Sequence, residues 1–207
     1  MDINKNKVNN MPKVFDKLIG KSNTYIPAMH KNMADTFECI TKNVSFKGKT
    51  ITREDILSRL DKVDMPEEIK TEIKEKMETQ EQINLANKFL SDSRLYGNER
   101  LQKSLSCWFS KYDKQEGSQA KIDIMDKYLS DESLQNSQSA QRLLSTALMF
   151  AKTPEAAEIT GKIFSNPILY ENRNIEKNFS SIMSWSNFPE AAQGKKEIID
   201  TFLNGGN

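Results

Sequence analysis

The chain is predicted to be all-α: a helical-repeat array of about three helix pairs behind an N-terminal helical cap. Three observations predict this. From Thr79 onward the sequence matches itself without gaps: residues 79–112 fall on 118–151 after a shift of 39, and those fall on 153–186 after a shift of 35. A period in this range is that of two-helix units, each too small to hide its apolar face alone. Within each unit apolar residues recur three and four positions apart, which places them on one side of a helix. Finally, 207 residues contain only 8 Gly and 6 Pro, too few for the many tight turns of a β architecture.

The elements follow in chain order. Residues 1–10, rich in Asn and Lys, read as a polar arm, and 11–78 as the helical cap. Pro12 and Gly20 bracket a short helix; Pro27 opens another, striped by Met29, Met33, Phe37 and Ile40. The alternation over 44–51 predicts a small extended turn. Thr52 with Asp55 makes a capping box for a helix ending near Lys62, and Asp64 with Glu67 starts the next.

The repeat units are 79–117, 118–152 and 153–187. Each begins with a helix A (80–90, 119–129, 154–164) behind the N-cap residues Thr79, Ser118 and Thr153. A loop of about seven residues carries Leu95, Leu134 or Leu169. Helix B (99–112, 138–151, 173–186) then starts behind Asn98, Ser137 or Asn172. Its apolar columns are Leu101/Ala140/Ile175, Leu105/Leu144/Phe179, Trp108/Ala147/Ile182 and Phe109/Leu148/Met183. A closing helix spans 188–203, and Gly205-Gly206 stop it.

Between the helices runs a shared phrase: Lys88-Phe89-Leu90-Ser91-Asp92, Lys127-Tyr128-Leu129-Ser130-Asp131 and Lys162-Ile163-Phe164-Ser165-Asn166. With two-helix units of this length, the phrase resembles HEAT or armadillo α-solenoid repeats over 79–203. Asp92 and Asp131 match the Asp often placed after helix A, whereas Asn166 departs from it, and Arg100 meets the Arg of helix B only loosely. The resemblance implies a protein-binding scaffold and no activity.

Composition narrows the function classes. No stretch approaches the roughly 18 consecutive apolar residues of a membrane span, and the formal charge of +1 supplies no bulk field toward nucleic acid. Two lone cysteines, Cys39 and Cys107, and a single His30 form no disulfide framework or zinc set. The thiols are expected as buried or half-buried small hydrophobes in a reducing compartment, the cytoplasm. Residues 43–54 imitate a calcium loop, with Gly48 at position 6 and Glu54 at position 12, but Lys47 puts a cation at a ligand position. No metal site, cofactor or catalytic residue is expected, and no phosphate-binding, dinucleotide or nucleophile-elbow motif occurs.

What remains is charge on the helix faces. On a helical wheel, position 103 lies opposite the helix-B apolar columns, giving a basic ladder of Lys103, Arg142 and Lys177, with Arg100 and Lys111 nearby. Lys88, Lys127 and Lys162 form a second ladder facing away from the apolar arc of helix A. The expected function is non-catalytic protein–protein binding or scaffolding, with an acidic protein partner on the helix-B ladder. The alternatives are an enzyme whose site only the fold assembles, or a bacterial effector delivered to a host, whose polar N-terminus would suit residues 1–10. A nucleic-acid binder is the second alternative, opposed by neutral charge and by ladders that point in opposite directions.

Overall fold

The computed structural model describes residues 50–109 and 114–204. Among these the protein is all-helical, with thirteen helices and no strand. They are α1 (Arg53–Leu60), α2 (Glu67–Lys76), α3 (Gln80–Leu90), α4 (Ser93–Tyr96), α5 (Glu99–Lys103), α6 (Leu105–Trp108), α7 (Gln115–Leu129), α8 (Glu132–Asn136), α9 (Gln138–Phe150), α10 (Pro154–Phe164), α11 (Pro167–Tyr170), α12 (Arg173–Ser186) and α13 (Pro189–Leu203). None is long and apolar enough to cross a membrane. The expected arm, the helices over 12–20 and 27–40, the calcium-loop imitation up to Lys49, Cys39 and His30 lie outside the described residues.

Contacts sort the helices into two rows. α3 packs on α7, α7 on α10 and α10 on α13; beside them α5 and α6 pack on α9, and α9 on α12. α7 meets α9 and α10 meets α12, joining the rows, while α1 covers the free side of α3. The twelve residues of the four helix-B columns are all buried, at 1% exposure or less. Each large aliphatic or aromatic side chain among them contributes about 1.5–3 kcal/mol by leaving water. Together they form a continuous part of the core beside the helix-A residues Leu85, Phe89, Ile124, Tyr128, Ile159 and Phe164.

Local capping fixes where the helices start. Thr52 and Asp55 form the expected capping box, and Thr79 forms one with Gln82. Asn98, Ser137, Thr153 and Asn172 each accept from first-turn N–H groups, as predicted. Each expected loop contains a further helical turn. Asp92, Asp131 and Asn166 accept from the N–H of Arg94, Ser133 and Ile168, all at 2.9 Å. These turns tuck Leu95, Leu134 and Leu169 into the core at 2% exposure or less. Just before them Ser91, Ser130 and Ser165 cap the preceding helix, donating to the carbonyls of Lys88, Lys127 and Gly161 at 2.7–2.8 Å.

Five expectations are corrected. Helix B of the first unit is not continuous: α5 and α6 are separated at Ser104. The Ser104 hydroxyl turns back to the Arg100 carbonyl (3.0 Å) and reaches Ser145 (3.0 Å), while the Trp108 indole N–H takes the Leu101 carbonyl at 3.1 Å. With that acceptor occupied, the helix re-forms one residue later. Ser118 is not an N-cap: α7 begins at Gln115, and Ser118 is buried within it, its hydroxyl without a partner among the described residues. Gly117, in the first turn of α7, lies against the Lys152 backbone, from which a Cβ would be 3.4 Å away, close to ordinary contact. Asp64 makes no cap, because Pro66 occupies the N-cap position of α2. Cys107 is exposed, not buried. The Lys88/Lys127/Lys162 column is half-buried, and its outer members bridge the A row, Lys88 to Asp126 and Lys162 to Asp200, the latter at 2.5 Å.

Candidate functional site

A cleft of about 900 Å³ opens where the first connecting turn and helix B meet the second turn and α9. Two basic residues singled out in the sequence, Arg100 and Lys103, stand on its wall. Lys103 holds Glu99 one turn away at 3.1 Å, but both side chains are more than three-quarters exposed. Such a pair is worth only about 0.3–0.5 kcal/mol and yields readily to a better anion. Arg100 offers its whole guanidinium, since none of its side-chain atoms has a partner among the described residues.

The other wall is held by Arg94, which sequence reasoning missed. Its Nε and Nη2 donate to the Asp92 carboxylate at 2.8 and 2.5 Å, and its Nη1 to Gln135 Oε1 at 2.9 Å. The guanidinium is thus fixed in direction, with two N–H bonds unspent from its five. These hydrogen bonds hold the Asp92 carboxyl below the ordinary carboxylate range and push Arg94 further up. Across the cleft Gln135 donates to the Leu129 carbonyl at 3.1 Å, so one amide ties the two turns together.

Tyr128 lines the floor. Its residue is 2% exposed and its ring stacks at a tilt on Phe164, yet its hydroxyl has no hydrogen-bond partner among the described residues. Burial raises its pKa, and the charge of Arg94 pulls it back. The matched positions in the neighbouring units are Phe89 and Ile163, so the hydroxyl is present only where the cleft is. That difference within the shared phrase was the signal available in the sequence. Ser104 and Ser145 complete the floor through their mutual hydrogen bond.

No protein-family model, curated protein or solved structure matches this chain.

The remaining ladder residues do not join the cleft. Arg142 is bound to Glu176 at 2.7 Å. Lys177 is exposed on α12, away from the cleft lining, and Lys111 lies outside the described residues. No group of His, Cys, Asp and Glu able to hold a metal ion occurs among the described residues. The cleft is therefore lined by hydrogen-bonding side chains, three cations (Arg94, Arg100 and Lys103) and one carboxylate, Glu99.

Proposed function

We propose that the chain is a non-catalytic protein-binding or scaffold module built from stacked helical hairpins in the manner of HEAT and armadillo arrays, working in the cytoplasm. One observation carries this reading: side-chain hydrogen bonds recur at positions 39 and 35 residues apart. The Asp92/Asp131/Asn166 caps do so, as do the Ser91/Ser130/Ser165 caps. So do Gln102 and Gln141, which donate to the carbonyls six residues before them, Tyr96 and Gln135, at 2.5 and 2.7 Å. A recurrent local design, with helices in two rows, favours a stack of like units presenting an extended face. The residues lining the cleft include no nucleophile–base pair or paired carboxylates, which favours binding over catalysis. Tyr128, the aromatic on its floor, is too buried to stack a nucleobase, which disfavours nucleic acid.

The test is proximity labelling in the native cell with wild type and with Lys103, Arg142 and Lys177 all changed to Glu. A set of protein neighbours that the wild type labels and the triple variant loses is the expected result. Labelling no different from that of an unrelated helical protein would refute the binding role.

A further inference from the structure

We infer that the cleft between the first two helix pairs receives an acidic segment of a partner protein, with one Asp or Glu carboxylate seated among Arg100, Lys103 and the Tyr128 hydroxyl. This rests on the protein-binding reading above and specifies its site and ligand.

The argument is a comparison of two equivalent junctions within the chain. Where the second unit meets the third, three side-chain contacts close the space: Ser137 donates to Glu171 at 2.5 Å, Arg142 to Glu176 at 2.7 Å and Ser139 to Glu176 at 3.4 Å. Shifting each pair back one unit, by 39 and 35, gives Asn98 with Asn136, Lys103 with Gln141, and Arg100 with Gln141. None of those three pairs is bonded, and all five residues line the cleft. The equivalent contact between adjacent turns is kept at both places: Arg94 to Gln135 at the first junction, Ser133 to Tyr170 (3.3 Å) at the second. The first junction thus has amides, Asn136 and Gln141, where the second has the carboxylates Glu171 and Glu176. It keeps one basic position (Lys103 for Arg142) and gains another (Arg100 for Ser139), and its own carboxylate, Glu99, is engaged only in the exposed pair with Lys103.

The second junction also shows what fills such a place. Glu176 presents a carboxylate to a guanidinium and a hydroxyl at once. At the first junction that role falls to Gln141, whose amide is turned to the Gln135 carbonyl and carries no charge. A carboxylate from outside would find the Arg100 guanidinium, Lys103 behind a weak surface pair, and the Tyr128 hydroxyl, unpartnered among the described residues. Such charge-assisted hydrogen bonds are about twice as strong as neutral ones. The Asn136 amide, the Asn98 Nδ2 left over from its capping role and the Gln141 Oε1 along the walls suit the N–H and C=O groups of an extended chain, which makes a peptide a better occupant than a free anion.

The probe is a displayed library of short random peptides selected on the full chain, followed by fluorescence anisotropy with the winners. Selected peptides are expected to share an Asp or Glu, and its replacement by Asn or Gln to weaken binding about tenfold. Arg100→Glu with Lys103→Glu is expected to cost at least about as much. Tyr128→Phe, which restores the side chain of Phe89 and leaves the fold intact, is expected to cost about fivefold at an unchanged melting temperature. Gln141→Glu supplies the carboxylate internally and is expected to shut the cleft to peptide, while Lys177→Glu binds as wild type. Selection without an acidic residue, full affinity in Gln141→Glu and Tyr128→Phe, or displacement of peptide by oligothymidine at lower concentration would each overturn the assignment. If that happens while proximity labelling still reports protein neighbours, the cleft proposal alone fails; if no neighbours are labelled either, the binding reading fails with it.

Discussion

The connecting turn α11 offers a test of the packing argument within two adjacent residues. Leu169 is 2% exposed and Ile168 57% exposed, one behind the other after the same Asn166 cap. Leu169→Ala removes three buried carbons, a transfer loss of about 2.4 kcal/mol at roughly 0.8 kcal/mol each. The pocket left behind adds to this, because neighbours close only partly, giving about 3 kcal/mol within the usual range of about 2–5. Ile168→Ala removes as many carbons from a side chain already mostly in water. Its loss is under about 1 kcal/mol, reduced further by alanine's better helix propensity. Urea unfolding followed by circular dichroism at 222 nm measures both, and for a chain of this size 3 kcal/mol corresponds to about 6–12 °C in melting temperature. Leu95→Ala and Leu134→Ala, at fully buried sites, are expected to cost at least as much as Leu169→Ala. Equal destabilisation by Ile168→Ala and Leu169→Ala would refute the claim that these turns are anchored by one leucine each.

Two further predictions concern the turns and helices around the cleft. Gly97→Ala is expected to destabilise by about 1–3 kcal/mol in thermal melts, since its Cβ would lie 2.6 Å from the Ser93 carbonyl oxygen, whereas Gly161→Ala, with open space, should stabilise by about 0.5–1 kcal/mol. Asp92→Ala is expected to cost about 1 kcal/mol as a lost N-cap, and Asp92→Asn less, because Asn166 caps the matched turn. The Asp92 carboxyl is held below its ordinary value by Arg94, so its charge stabilises the fold above the unfolded value near 3.8 and that stabilisation fades as pH falls through the lower folded value. Melting curves of wild type and Asp92→Asn should therefore differ at neutral pH and converge in acid; a gap that persisted in acid would put the Arg94 contact out of the account.

Much of the fold was legible because its signals are local. An N-cap needs only a short polar side chain a few residues before an apolar column, and Asn98, Ser137, Thr153 and Asn172 each act within three residues of themselves. The columns were legible because a helix of fixed pitch turns spacing into facing. What escaped was decided between units. The break at Ser104 depends on a hydroxyl on another helix and on an indole reaching seven residues back. The early start of α7 has no side-chain cap to announce it, since Lys114 holds the N-cap position without a side-chain hydrogen bond. The cleft needed knowledge of which side chains stand opposite one another across the rows, and a helical wheel supplies direction without partners.

The basic ladder shows that limit, and leads to a reciprocal prediction. Lys103, Arg142 and Lys177 share one column, yet Arg142 is engaged and Lys103 is not in any lasting way, because the residue one unit onward is Glu176 in one case and Gln141 in the other. If that Glu/Gln choice decides whether the basic residue of a junction is engaged, Glu176→Gln should free Arg142 at the second junction, even with Ser137 still donating to Glu171 there. The ion pair it removes is partly exposed, 44% on the Arg142 side and 24% on the Glu176 side, and such pairs contribute about 0.2–1 kcal/mol. The introduced amide would also gain the donor that Gln102 and Gln141 use toward the carbonyl six residues back, here that of Tyr170, offsetting part of the loss. The variant is therefore expected to melt close to wild type while binding acidic peptide at a second and weaker place, since Ser139 and Ile163 stand there for Arg100 and Tyr128. This is read as a stoichiometry rising above one at high peptide concentration in isothermal titration. A stoichiometry that stayed at one, or a loss of several kcal/mol in stability, would mean that Glu176 holds the helices together for reasons other than occupying a carboxylate site, and the equivalence of the two junctions would fail.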